Sequence, residues 1–170
     1  MTTTEYDFSQ IPNDSVEEFL RQGQECLAGT IQLAIASDQR ATAMAGMFGA
    51  GFVALLATAA AIVTGEDPNY RLFFGCIGTS LGLFLASFVC AWAARPIDFF
   101  VSGYEPRHLV KSTTDLQWMM RYTAEDVQRR IDSNRTCLQL ASKNVTFGAL
   151  LAFLSPIFGL TALVVSRLFS

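Results

Sequence analysis

Cysteine and histidine are the side chains best suited to nucleophilic or metal chemistry, and this chain has four cysteines and one histidine, His108. Cys76 and Cys90 fall inside an apolar run, whereas Cys26 and Cys137 fall in polar segments with helical periodicity. No two of them form a C-x-x-C pair, which redox motifs and zinc sites use. We therefore expect no metal and no cofactor, and interpret the cysteines as free thiols packed between helices.

Four charged side chains lie in the stretch RPIDFFVSGYEPRHL, residues 95–109, which follows neither helical nor strand periodicity. Arg95, Asp98 and Arg107 are candidate contacts for a small anionic or zwitterionic ligand or for lipid headgroups. The alternative is that the charges of this stretch pair with one another near the headgroups. Its prolines stop helix propagation, so we predict an irregular hinge over 95–113.

Hydroxyl groups are the other polar side chains that fall within apolar runs. Thr79, Ser80 and Ser87 are candidate pore-lining residues in an oligomer, although each hydroxyl could instead bond to a carbonyl of its own helix.

Pro156 lacks an N–H, so we expect a kink over 152–155 and a candidate hinge there. The chain has no recognisable nucleophile and base pair, phosphate loop or metal spacing, and we expect no enzyme.

Three segments without Asp, Glu, Lys or Arg must position these residues. They are 41–64, 72–94 and 145–166, about 22 to 24 residues each, and ~20 residues cross a ~30 Å hydrocarbon core as a helix. The alternative, a buried helix of a soluble bundle, would require all three to lack a solvated face. We predict an all-α integral membrane protein with three transmembrane helices and the lipid bilayer as its partner.

The basic residues are distributed unevenly around these spans. Eight of the twelve lie between the second and third spans and two precede the first, which predicts a cytoplasmic N-terminus and a periplasmic or external C-terminus. The first span follows an acidic segment and is unlike a signal peptide, so we interpret it as a retained anchor in a bacterial inner membrane. The net charge of −3 offers no basic surface for nucleic acid.

The polar segments before the first and third spans have helical apolar seams. Ser15 with Glu18 and Thr114 with Gln117 match helix-capping pairs. We predict a flexible segment over 1–14 and helices over 15–64, 72–94 and 114–168, so that two spans continue as long parallel cytoplasmic helices. Those two helices would pair as a coiled-coil stalk, with Asn134 interrupting one seam. The alternative is that the seams lie on lipid headgroups.

Small residues recur at four-residue spacing on the first two spans. We predict helix packing at Gly49, Gly78, Gly82 and Ala86, because small side chains let helix backbones approach closely in lipid. Packing within one protomer accounts for at least one stripe. The other could join subunits, so we expect a homo-oligomer.

The stretches RPIDFFVSGYEP and LAIASDQRATAMAG, and the chain as a whole, resemble uncharacterised small bacterial inner-membrane proteins. That resemblance implies no activity. The topology is also similar to that of SLATT-type membrane effectors of bacterial defence, which implies pore formation, although a third span departs from their usual two.

Two functions remain as expectations. The first is a homo-oligomeric channel or pore-forming effector whose cytoplasmic stalk senses a signal. The second is a non-catalytic membrane scaffold or accessory subunit that holds a protein partner on its stalk.

Overall fold

Every regular element in the described part of the chain is a helix. The structure, a computed structural model, describes residues 12–95 and 116–168. Helix α1 spans Asn13–Thr64, α2 spans Tyr70–Ala93 and α3 spans Leu116–Leu168. Each is long and apolar enough to cross a membrane. Over these residues the structure confirms the predicted all-α class and three apolar helices of membrane-spanning length.

The start of α1 differs slightly from the prediction, because the helix begins at Asn13 and not at Ser15. Pro12 precedes it, and its carbonyl accepts a 2.9 Å hydrogen bond from the Ser15 N–H. A proline with fixed φ is favourable at the entry to a helix. Glu18, the expected partner in a capping box, binds Arg21 through two hydrogen bonds of 2.6 and 2.8 Å.

Helix α2 begins at Tyr70 because Asn69 caps it. The Asn69 side-chain oxygen accepts a 3.2 Å hydrogen bond from the Leu72 N–H, which would otherwise lack a partner in the first turn. At the other end the Ala94 N–H donates to the Cys90 carbonyl at 3.1 Å. Residues 96–115, which hold most of the predicted hinge and Thr114, lie outside the described residues.

The chain divides into two compact units. Unit 1 comprises Met1–Ile35 and Ile97–Gln139, and unit 2 comprises Ala36–Pro96 and Leu140–Ser170. In unit 1, buried side chains of α1 and α3 recur at intervals of 3, 7 or 11 residues, which are one, two and three turns of a helix: Val16, Leu27, Ala34, Ala124, Val127 and Asn134. A methyl group on Gly23 would lie 2.8 Å from a Val127 methyl carbon, so the two helices pack closely there.

Unit 2 contains all of α2 and the apolar parts of α1 and α3. Residues 45–52 of α1 pack against 84–87 of α2, and residues 75–90 of α2 pack against 148–163 of α3, with rising numbers on one helix meeting falling numbers on the other. Helices α1 and α3 are therefore both antiparallel to α2 in this unit. Ala41, Ala93 and Val145 form a buried apolar cluster, with Met44 and Ala94 packed against it.

Candidate functional site

Glycines form the closest contacts between α2 and α3. A methyl group on Gly78 would lie 2.6 Å from the Phe158 carbonyl oxygen, and one on Gly82 would lie 2.7 Å from Ser155 Cβ. From the α3 side, a methyl on Gly148 would lie 2.5 Å from Cys90 Sγ and one on Gly159 would overlap the Thr79 hydroxyl. At Gly78, Gly82 and Gly159 a methyl would lie less than 3 Å from backbone atoms of the facing helix, whereas at Gly148 it would meet the Cys90 side chain.

Thr79 and Ser80 lie on the same part of α2, and their hydroxyls bond within that helix. Thr79 Oγ1 donates to the Gly75 carbonyl at 3.0 Å, and Ser80 Oγ donates to the Ile77 carbonyl at 2.8 Å. Ser80 is 2% exposed, and Thr79 is half-buried beside Gly159. In the single chain both hydroxyls therefore lie among helices, and their pore-lining role stays a prediction.

Ser87 forms the only hydrogen bond between α1 and α2 that involves a side chain in the described residues. Its Oγ donates to the Ala45 carbonyl at 2.8 Å, across an interval of 42 residues. Gly49 makes room for this contact, because a methyl there would lie 3.3 Å from Ser87 Oγ. Ala86, the neighbouring residue, is fully buried. The bond links two helices, and it was not among the roles expected for Ser87.

Pro156 lies inside α3, and the helix continues through it. Proline has no N–H, so the Ala152 carbonyl four residues earlier loses its usual donor. Ser155 Oγ donates to that carbonyl at 2.8 Å, and Ser155 is buried against Gly82. The carbonyl is therefore satisfied inside the helix contact. The role of Pro156 as a hinge stays a prediction.

Arg95 is the one predicted ligand or headgroup contact within the described residues, since Asp98 and Arg107 lie outside them, as does His108. Its guanidinium carbon lies 4.5 Å from the centre of the Trp92 ring. The Phe88 ring also stacks with the Trp92 ring, with ring centres 6.2 Å apart and planes inclined at 30°. All three side chains are exposed or largely exposed.

Unit 1 has exposed ion pairs on α1 and a buried polar residue, Asn134, on α3. Arg21 contacts Glu18 and Glu25 at 2.6 Å each, and hydrogen bonds from Arg21 lower the pKa of the exposed Glu18 carboxyl to about 2. Asn134 is only 1% exposed and has an interaction partner. The sequence suggested that Asn134 interrupts the seam, whereas the structure buries it within the seam.

Sequence reasoning missed Gly148 and Gly159, although a signal for them was present. On α3, small residues follow the same three- and four-residue steps as on α2: Gly148, Ala152, Ser155, Gly159 and Ala162. The cation–π contact of Arg95 and the bond from Ser87 to Ala45 had no such signal, because both depend on side-chain direction.

No group of three or more histidine, cysteine, aspartate or glutamate residues placed to hold a metal ion occurs within 12–95 and 116–168. Comparisons of the chain with protein-family models, with curated proteins and with solved structures returned no match.

Proposed function

We propose that this protein is a multi-pass protein of the bacterial inner membrane that forms a homo-oligomeric channel or pore, with unit 1 as a cytoplasmic stalk that senses a signal. Three helices of membrane-spanning length support the membrane assignment. The excess of basic residues near unit 1 supports a cytoplasmic location for that unit. The buried seams on α1 and α3 support a paired stalk.

One exposed surface carries the oligomer proposal, and we name it the small-residue face of α1. It consists of Ala43, Gly46, Ala50, Ala54, Ala57 and Ala61. At 100° per residue these six positions lie within an arc of ~80° on the helix. All six are exposed, and no atom would lie within 4 Å of a methyl group built on Gly46.

The exposed surfaces of α2 and α3 have a different composition. On α2 the exposed side chains include Leu81, Phe84 and Phe88, and on α3 they include Leu160 and Phe153, which is 87% exposed. Large apolar side chains suit contact with lipid tails, whereas small ones allow a second helix to approach closely. The contrast favours lipid around α2 and α3 and a second copy against the small-residue face of α1.

A ring closed through this face would bring hydroxyl groups next to the subunit contact. Thr58 borders the face, is exposed and donates to the Ala54 carbonyl at 2.9 Å. Its hydroxyl oxygen still has acceptor capacity for water or a cation. No charged side chain lies within 41–64, so we expect a narrow pore without a strong charge filter.

The oligomer is tested by filling the small-residue face. Gly46→Leu combined with Ala50→Leu should leave the protomer folded, because both positions are exposed, and should reduce the oligomer to monomer in native mass spectrometry from nanodiscs. Phe153→Leu is the control, since it changes an exposed side chain on α3, and should keep the wild-type mass. A double variant with the wild-type mass would contradict the proposed contact.

The channel activity is tested separately in liposomes. Wild-type protein should release a trapped ion indicator, and the double Leu variant should not. An oriented wild-type oligomer that conducts no ions would contradict the channel and leave the oligomeric contact standing.

A scaffold is the second candidate function, and an exposed face of unit 1 favours it. Phe19, Cys26, Gly29 and Leu33 recur along α1 at steps of three, four or seven residues, and all are exposed. Large apolar residues exposed on a polar helix are typical of a protein-binding surface. Phe19→Ser with Leu33→Ser should abolish co-purification of a cytoplasmic partner and leave the oligomer intact. Recovery of the protein alone from wild-type cells would contradict the scaffold.

A further inference from the structure

Arg95, Trp92 and Phe88 form a stack at the C-terminal end of α2. Trp92 lies four residues after Phe88 on one exposed strip of α2, which continues backwards through Leu85 and Leu81, and Arg95 follows the last residue of the helix by two positions. The order along this strip is aliphatic, aromatic and then cationic. That order matches the change from hydrocarbon to headgroup at a bilayer surface, where Trp is enriched.

The length of α2 agrees with this placement. Tyr70, at the start of the helix, is 61% exposed, and Trp92 is 53% exposed. Twenty-two residues separate them, which gives ~33 Å along a helix and compares with a hydrocarbon core of ~30 Å. One exposed aromatic side chain therefore lies at each predicted boundary of the membrane.

The guanidinium of Arg95 is positioned to bind an anion. The Arg95 guanidinium carbon lies over the Trp92 ring, 4.5 Å from the ring centre, and the side chain is exposed, so its N–H groups are accessible to a ligand. Among the described residues no carboxylate forms an ion pair with Arg95. A planar fork of N–H donors fits a phosphate group, which accepts two parallel hydrogen bonds.

We infer that Arg95 and Trp92 form a binding site for the phosphate of an anionic phospholipid at the C-terminal end of α2. The indole fixes the depth of the site and holds the guanidinium, and the guanidinium selects anionic headgroups over zwitterionic ones. This inference rests on the proposed insertion of the protein in a membrane.

The test uses Trp92 as its own reporter in full-length protein carrying Trp118→Phe, which leaves one tryptophan. Vesicles contain equal fractions of phosphatidylglycerol and phosphatidylcholine, with bromine on the chains of one lipid or the other. A basic residue near an anionic surface contributes enough to enrich the lipid about fivefold. Trp92 fluorescence should therefore be quenched more strongly by brominated phosphatidylglycerol.

Arg95→Gln should abolish this preference, and the matched Arg71→Gln, which removes an arginine at the other end of α2, should keep it. Equal quenching by both lipids in the wild type, or a preference retained in Arg95→Gln, would overturn the headgroup site. Loss of the preference in excess inorganic phosphate would also overturn it, in favour of a free-anion site. If neither lipid quenches Trp92, the membrane insertion itself is wrong, so the two failures are distinguishable.

Discussion

At the scale of single residues, glycines allow α2 and α3 to pack closely in unit 2. Gly82 lies where a methyl group would meet both Cβ and Cα of Ser155, at 2.7 and 2.9 Å. Ser155 is in turn bonded to the carbonyl that Pro156 leaves without a donor. Pro156 removes the backbone donor to the Ala152 carbonyl, and the Ser155 hydroxyl replaces that donor. Gly82 leaves the space that Ser155 occupies between the two helices.

The same glycine-to-alanine change should have opposite effects at two positions. Gly82→Ala should destabilise the protein by about 1 to 3 kcal/mol, because the methyl meets backbone that cannot move without shifting α3. Gly29→Ala should be neutral or stabilising by up to about 1 kcal/mol, since nothing lies within 4 Å of the new methyl and alanine favours helix.

Unfolding of both variants in mixed micelles, followed by circular dichroism, measures the two changes. Equal effects at the two glycines would show that helix propensity dominates, and would remove the packing role given to Gly82.

At the scale of helices, the heptad-like burial in unit 1 contains one buried polar residue. Asn134 falls at the same three- and four-residue steps as Ala124 and Val127 and is the most buried of the three. Polar residues at such positions usually fix the alignment of two helices at some cost in stability. The side chain is neutral, so its burial requires hydrogen bonds but no charge compensation.

Asn134→Asp should destabilise unit 1 at pH 7 by about 1 to 3 kcal/mol, because it places a charged carboxylate in a buried site of nearly the same shape, where burial disfavours the charged form. Burial raises the folded-state pKa of such a carboxyl above its unfolded value of ~3.9. The destabilisation should therefore grow as the pH rises above that value and disappear below it.

Ser133→Asp is the control, because Ser133 is adjacent and exposed, and it should have little effect at either pH. Hydrogen exchange over 116–139 reports on unit 1 directly. Exchange in Asn134→Asp that is slow at pH 7, once corrected for intrinsic rates, would contradict the buried role of this residue.

The helices themselves could be predicted from the sequence to within a few residues, because charge-free runs of membrane-spanning length and capping residues are local signals. The prediction did not use Asn69 as a cap and therefore started α2 at residue 72, whereas the helix starts at Tyr70. Contacts between helices depend on how each helix is rotated about its own axis. A stripe of small residues marks one face of a helix but does not say which neighbouring helix packs against that face. Of the predicted packing residues, Gly78 and Gly82 on α2 meet α3, whereas Gly49 on α1 meets Ser87 of α2.

At the scale of the whole molecule, two of the four cysteines lie in each unit. Cys26 is exposed in unit 1 and Cys137 is half-buried there, while Cys90 is fully buried in unit 2 and Cys76 is half-buried. The chain therefore contains natural reporters for the side of the membrane on which unit 1 lies. The proposed orientation depends on the distribution of basic residues alone and needs such a direct measurement.

A variant that keeps only Cys26 should react with a membrane-impermeant maleimide in inverted inner-membrane vesicles and be protected in intact spheroplasts, because unit 1 is proposed to be cytoplasmic. A variant that keeps only Cys90 should be protected in both preparations, since its thiol is covered by α3 at Gly148. It is the control for a thiol that helix packing protects whichever way the membrane faces. Labelling of Cys26 in spheroplasts alone would reverse the proposed orientation, while leaving the helix packing of unit 2 unchanged.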